Sequence, residues 1–176
     1  ADTLTIDATS RIDVMGRGFL GGFQSGNPFG RDGMTVAFER GSTGRSGGSY
    51  GGLGGASDGT PSPVYGDFLD PNEPGSGGGV HPNVGSHAGN GGGLIRIVAQ
   101  TMQLDGSIVA NGGDAELDTG GGSGGGIRVD VGTLRGTGQI TANGGVGQRG
   151  GGGGGGRVAT YYQDATGFNL TKVTAF

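Results

Sequence analysis

The 176-residue sequence points to an all-β chain: a glycine-rich β-solenoid or layered β-sheet with repeats of about 32 residues and polyglycine II-like segments. Two stretches match at an offset of 32 without a gap: Gly93-Leu94-Ile95-Arg96-Ile97 with Gly125-Gly126-Ile127-Arg128-Val129, and Ile108-Val109-Ala110-Asn111-Gly112-Gly113 with Ile140-Thr141-Ala142-Asn143-Gly144-Gly145. An ungapped period of twenty to fifty residues marks stacked supersecondary units. Within the matches apolar and polar residues alternate, the period-two pattern of a half-buried strand. The third observation is glycine: 49 residues, in runs rather than at every third position, which excludes collagen. Leu, Ile, Val and Phe make up only about a fifth of the chain, close to disorder-prone composition. Compactness therefore calls for glycine backbone packed on glycine backbone.

The length fits one domain, 1–176, carrying a long Gly/aromatic insertion over 17–92. Residues 3–16 read as strand–turn–strand, with Thr3-Leu4-Thr5-Ile6-Asp7 resembling Thr101-Met102-Gln103-Leu104-Asp105, so the chain opens on the second half of a repeat. Within the insertion only Met34–Phe38 reads as a strand, and seven aromatics from Phe19 to Phe68 are the expected anchors. In the repeats, Ile95, Ile97, Ala99, Ile108 and Ala110 are expected inside, with Ile127, Val129, Val131, Ile140 and Ala142 as their equivalents. A last, imperfect copy runs from Gly156-Arg157-Val158 to Val173-Thr174-Ala175-Phe176. No apolar i, i+3, i+4 pattern survives the glycine, so no helix is expected. The seven-residue run Gly150–Gly156 spans roughly 22 Å in an extended three-residue helix. Packed shoulder to shoulder, such runs should reject a Cβ at every third position.

The glycine runs resemble the polyglycine bundles of phage tail-fibre tip adhesins. The GGG…(I/V)R(I/V)…ANGG and GGGGGGRVA phrases resemble the glycine-rich repeats of large secreted bacterial surface proteins. The second resemblance covers mainly residues 77–163 and implies an extracellular or cell-surface setting. It brings no active site with it.

Formal charge is −4, with ten arginines and the single lysine Lys172, which leaves no basic stripe for nucleic acid and no polybasic membrane patch. No apolar run is long enough for membrane insertion. Cysteine is absent, so disulfides and thiolate metal sites are excluded. The start at Ala1-Asp2 suits a mature chain trimmed after a small residue.

Gly16-Arg17-Gly18-Phe19-Leu20-Gly21 has dinucleotide-binding spacing, but no helix pattern follows to receive a pyrophosphate. His81 and His87 lie in glycine-rich sequence and read as solvated loop residues rather than metal ligands. Asp67, Asp70, Asn72 and Glu73 carry oxygen, but their spacing matches no calcium loop. Catalytic, cofactor-binding and metal residues are all expected to be none. Arg96, Arg128 and Arg157 each follow a glycine run. They either cover an edge and bond free carbonyls or form a ladder for acidic polysaccharide. Tyr50, Tyr65, Tyr161 and Tyr162 suit either sugar stacking or packing on glycine. Asn169-Leu170-Thr171 is an N-glycosylation pattern. The expected role is therefore a non-enzymatic extracellular structural protein, a self-assembling fibre subunit or surface module. Its homopolymer contacts would run through the terminal strands. The alternative is an adhesin or carbohydrate-binding module, with polysaccharide as the partner.

Overall fold

The computed structural model describes residues 1–176. Eleven strands form three sheets. In chain order they are β1 (Thr3–Ile6), β2 (Arg11–Asp13), β3 (Met34–Thr35), β4 (Glu39–Arg40), β5 (Leu94–Leu104) and β6 (Ser107–Val109). Then follow β7 (Gly126–Gly136), β8 (Gln139–Thr141), β9 (Arg157–Tyr161), β10 (Asp164–Phe168) and β11 (Val173–Thr174). The first sheet is parallel, ordered β1-β5-β7-β10, with β9 also pairing β7. The second is parallel, ordered β11-β8-β6-β2. The third is the antiparallel pair β3-β4.

Register follows the repeat. Ile95 lies opposite Ile127, Ile97 opposite Val129 and Ile108 opposite Ile140, so like side chains stack in columns. Those columns form the core, whose fifteen buried residues include Ile6, Met102, Leu104, Leu134 and Phe168 beside the inward residues named above. Ile108, Ile127 and Ile140 are completely buried, and each contributes about 1.5–3 kcal/mol by leaving water. Along β5 and β7 the inward positions change parity, from Ile95, Ile97 and Ala99 to Met102 and Leu104. Gln100-Thr101 and Gly132-Thr133 are two successive non-core positions, and the pairing skips there. Each long strand turns a corner at that point, and its second half meets the core from another side.

The expected all-β glycine-rich solenoid or layered sheet, built of 32-residue repeats, is not what this chain builds. Strand accounts for only 31% of residues, and the two parallel sheets stay open and separate rather than closing into a solenoid. The reason lies in the glycine segments between them. A strand bonds to two neighbours in one plane, but Gly121, Gly122 and Ser123 bond to three pairs of segments in turn. Gly121 donates to the Gly151 carbonyl (3.0 Å) and accepts from Gly48 (2.9 Å). Gly122 donates to Gly113 (3.0 Å) and accepts from Gly145 (2.8 Å). Ser123 donates to Ser76 (2.9 Å) and accepts from Gly92 (2.8 Å). Such segments form a bundle, and no sheet can continue through them.

The insertion belongs to that bundle. Gly18 donates to Gly91, Gly22 to Gly78, Gly52 to Gly155 and Gly55 to Gly152. Aromatic anchoring is partial: Tyr50 is fully buried and Phe19 packs edge-on against Phe38, but Phe38 and Phe68 are mostly exposed. The strand expected over Met34–Phe38 stops after Thr35. Ala37 (φ +62°) and Phe38 (φ +58°) lie in a 3₁₀ turn that reverses the chain into β4. No α-helix forms; the second 3₁₀ turn is Leu170–Lys172. No helix is long and apolar enough to cross a membrane.

Candidate functional site

The features with most functional content are the two open edges of the parallel sheets. At one edge lie β1 and β2; at the other lie β9, β10 and β11. Two columns run from edge to edge. Ile12 stacks on Ile108, Ile108 on Ile140, and Ile140 on Val173. Beside it runs Met15–Asn111–Asn143–Phe176. The Asn111 Oδ1 accepts from the Asn143 N–H (2.8 Å), and the Asn143 Oδ1 accepts from the Phe176 N–H (3.0 Å). The same bridging recurs where Asp105 accepts from Thr137 (3.0 Å) and Asp114 from Val146 (2.8 Å). The Asp105 carboxyl is held below the usual carboxylate range by the Gln103 amide and the Thr137 N–H and hydroxyl. Interior Asx side chains thus reach forward to the next copy.

At the edges they turn back. Asp7 accepts from Thr9, Asp13 from Met15, Asp164 from Thr166 and Asn169 from Thr171. The edge turns are ordered by their own side chains without a neighbour. Both ends of the asparagine column are apolar and open, Met15 at 44% exposure and Phe176 at 84%.

The arginines occupy the outer face of the first sheet. Arg96 lies opposite Arg128, but Arg157 lies opposite Gly126, because the third copy is one residue out of step. A strap, residues 65–74, covers this row. The Asp70 Oδ1 accepts from Arg96 (2.9 Å) and from Arg128 (2.8 Å), while Asp130 grips Arg128 through two further bonds. Arg157 donates twice to the Tyr65 carbonyl (3.0 and 2.8 Å) and lies over the Tyr50 ring. Arg128 lies over Tyr161, whose hydroxyl donates to Leu69. The Arg128 hydrogen bond, aided by Arg96, holds the Asp70 carboxyl below its ordinary range. The row is occupied by the protein's own acceptors. Arg96 and Arg128 pair with carboxylates, where carbonyl partners were expected, and only Arg157 bonds a carbonyl, so none of the three stands free.

Tyr50 and Tyr65 are packing residues, with rings 4.8 Å apart and ionisation pushed up by burial. Tyr161 and Tyr162 are partly exposed. The histidines are dispersed: His87 Nδ1 lies 3.2 Å from Glu116, and His81 Nε2 lies 3.8 Å from Asp58. No three His, Cys, Asp or Glu side chains gather as metal ligands. Asp67 binds the Leu69 N–H and Asp70 the arginines, so these two are engaged separately. In Gly16–Gly21, Gly18 donates to Gly91 and Gly21 to the Asn90 side chain, which leaves those N–H groups unavailable to a phosphate. Asn169 sits at the start of the second 3₁₀ turn with its side-chain oxygen bound to Thr171.

The open edges had a signal in the sequence, in the strand-like ends and their repeat equivalents. The strap had none, since Asp70 meets arginines 26 and 58 positions away without any shared pattern. No family model, curated protein or solved structure matches the chain.

Proposed function

We propose that this protein is a non-enzymatic extracellular structural module that assembles head to tail with copies of itself into a fibre or surface layer. The observation that carries the reading is the edge-to-edge continuity of the columns. A second copy whose β2 meets β11 sets Ile12 on Val173 and Met15 on Phe176, apolar on apolar, at the spacing the subunit uses internally. Open parallel edges accept an added strand by backbone pairing. The contact joins two different surfaces, so it propagates instead of closing. Edge turns satisfied from within keep the free subunit folded, which suits assembly from soluble units. Acidic side chains engaged by arginines, threonines and backbone support a structural role over a catalytic one. The resemblance to secreted bacterial repeats supports the extracellular setting.

Negative-stain imaging and sedimentation of the purified chain test the proposal. Filaments or sheets that dissolve when β11 is deleted are the expected result. A monomer at high concentration would instead favour the second reading, an adhesin or carbohydrate-binding module, for which the exposed Tyr161 and Tyr162 speak.

A further inference from the structure

We infer that the insertion carries a binding site for a uronic acid, a sugar bearing one carboxylate, in the cavity bounded by Phe23, Phe29, Arg31, Asp32 and Arg40. This site lies apart from the sheet edges and does not depend on assembly. The cavity measures about 440 Å³, and the buried Val80 and the exposed Pro82 complete its lining. That volume falls in the range of small-ligand sites.

Its walls are built in advance. The Asn27 side chain donates to the Gly21 and Asp32 carbonyls, both at 2.8 Å, and accepts from the Phe29 N–H at 2.8 Å. Phe23 donates its N–H to Gly30 (2.7 Å) in a left-handed conformation, φ +57°. That strained backbone presents a half-exposed phenyl ring, and strain of this kind gathers at ligand clamps. The Arg31 carbonyl accepts from Val80 (2.9 Å), which ties the rim to the glycine bundle.

The chemistry follows from three groups. Arg40 is already committed: it pairs with Asp32 at 2.7 Å and lies over the Phe29 ring, 5.7 Å from its centre. Arg31 takes part in none of the molecule's ion pairs. Its planar fork is therefore free for a carboxylate, which it can grip through two N–H groups. The phenyl rings of Phe23 and Phe29 offer apolar surface to the C–H face of a sugar ring. The Asp32–Arg40 pair offers an acceptor and donors for hydroxyls. A phosphate would use the cation and ignore the rings; a neutral sugar would use the rings and ignore the cation.

Titrating the ¹⁵N-labelled full chain with sodium glucuronate tests the assignment. The amides of Phe23, Gly30 and Arg31 should shift saturably, with half-saturation of about 1–10 mM. Sodium acetate, inorganic phosphate and glucose should each bind at least tenfold more weakly. Arg31→Gln should weaken glucuronate about tenfold and Phe29→Ala about fivefold, while the amides of Ile108 and Ile140 keep their positions and report an intact fold. A galacturonate tetramer binding more tightly than the monomer would place the site on a polymer chain, and equal binding would make it a site for single residues. The inference is overturned if glucuronate fails to saturate, if acetate or phosphate binds as well, or if Arg31→Gln binds like the parent.

Discussion

Adding one methyl group at Gly153 tests whether glycine backbones pack directly on one another. A Cβ there would lie 1.9 Å from the Gly122 carbonyl oxygen, against the 3.0 Å that real Cβ contacts respect. One segment must therefore move by at least about 1 Å. Three hydrogen bonds meet at this point: Gly153 to Gly145 (2.9 Å), Gly145 to Gly122 (2.8 Å) and Gly122 to Gly113 (3.0 Å). At about 0.5–1.5 kcal/mol each, their loss totals roughly 2–4 kcal/mol. For a chain of this length that lowers Tm by roughly 5–15 °C. The control is the adjacent glycine. Gly152 is exposed, its Cβ would meet only the Gly145 carbonyl at 3.6 Å, and its φ is not positive. Gly152→Ala should be neutral, or stabilising by about 0.4–1 kcal/mol through the unfolded chain. Urea melts followed by tyrosine fluorescence give both values. Equal stability of Gly152→Ala and Gly153→Ala would refute the packing. The same distances revise the expected rhythm: of Gly150–Gly156 only Gly152 has room, so the run is enclosed on nearly every side.

Ile140→Asp buries an unpaired charge in the column between Ile108 and Val173 and should leave no cooperative melting transition; wild-type melting would show that the register is wrong. Asp70 ties the strap to Arg96 and Arg128, and its folded pKa lies below the ordinary carboxylate value of about 3.9. Its contribution is complete above that value and is lost as pH falls through the lower folded one. ¹⁵N relaxation at residues 66–73 should then show a looser strap below about pH 4, and Asp70→Asn should show it already at pH 7. An Asp70→Asn chain that still loosens only in acid would assign the transition elsewhere. Lys172 precedes Val173, as Arg11 precedes Ile12, so the proposed joint brings two cations together. Lys172→Glu should lower the critical concentration for assembly by up to about fivefold, the scale of one exposed ion pair. A raised concentration would count against this joint.

Side-chain periodicity made part of this molecule legible. Ile95, Ile97, Ile127 and Val129 stand at one offset and one parity, and they stack as those two facts require. The opening segment declared its partner through Thr3–Asp7, which resembles Thr101–Asp105 and pairs with it. The bend at Gln100 and Gly132 was not legible, because two polar or glycine positions in a row carry no signal of which way the strand turns. The slip at Arg157 hides in a run of identical residues, where one residue more or less leaves no trace. Closure is hidden for the same reason. Bare glycine has no side chain to record whether it bonds to two neighbours or to several, so the sequence could not separate a coil from a bundle. Asp70, and the Asn27 braces in the insertion, act over distances that no local pattern encodes.

Head-to-tail contact is tested most directly by disulfide trapping, since the native chain has no cysteine. Met15 and Phe176 mark opposite ends of one column, three strand spacings or roughly 14 Å apart within a subunit. Across the proposed joint they would be neighbours at about 4.8 Å, within disulfide range. Mild oxidation of the Met15→Cys, Phe176→Cys double variant should give a ladder of covalent multimers on a non-reducing gel, with each single variant stopping at the dimer. A double variant that remains monomeric, or ends at the dimer like the single variants, would contradict head-to-tail assembly.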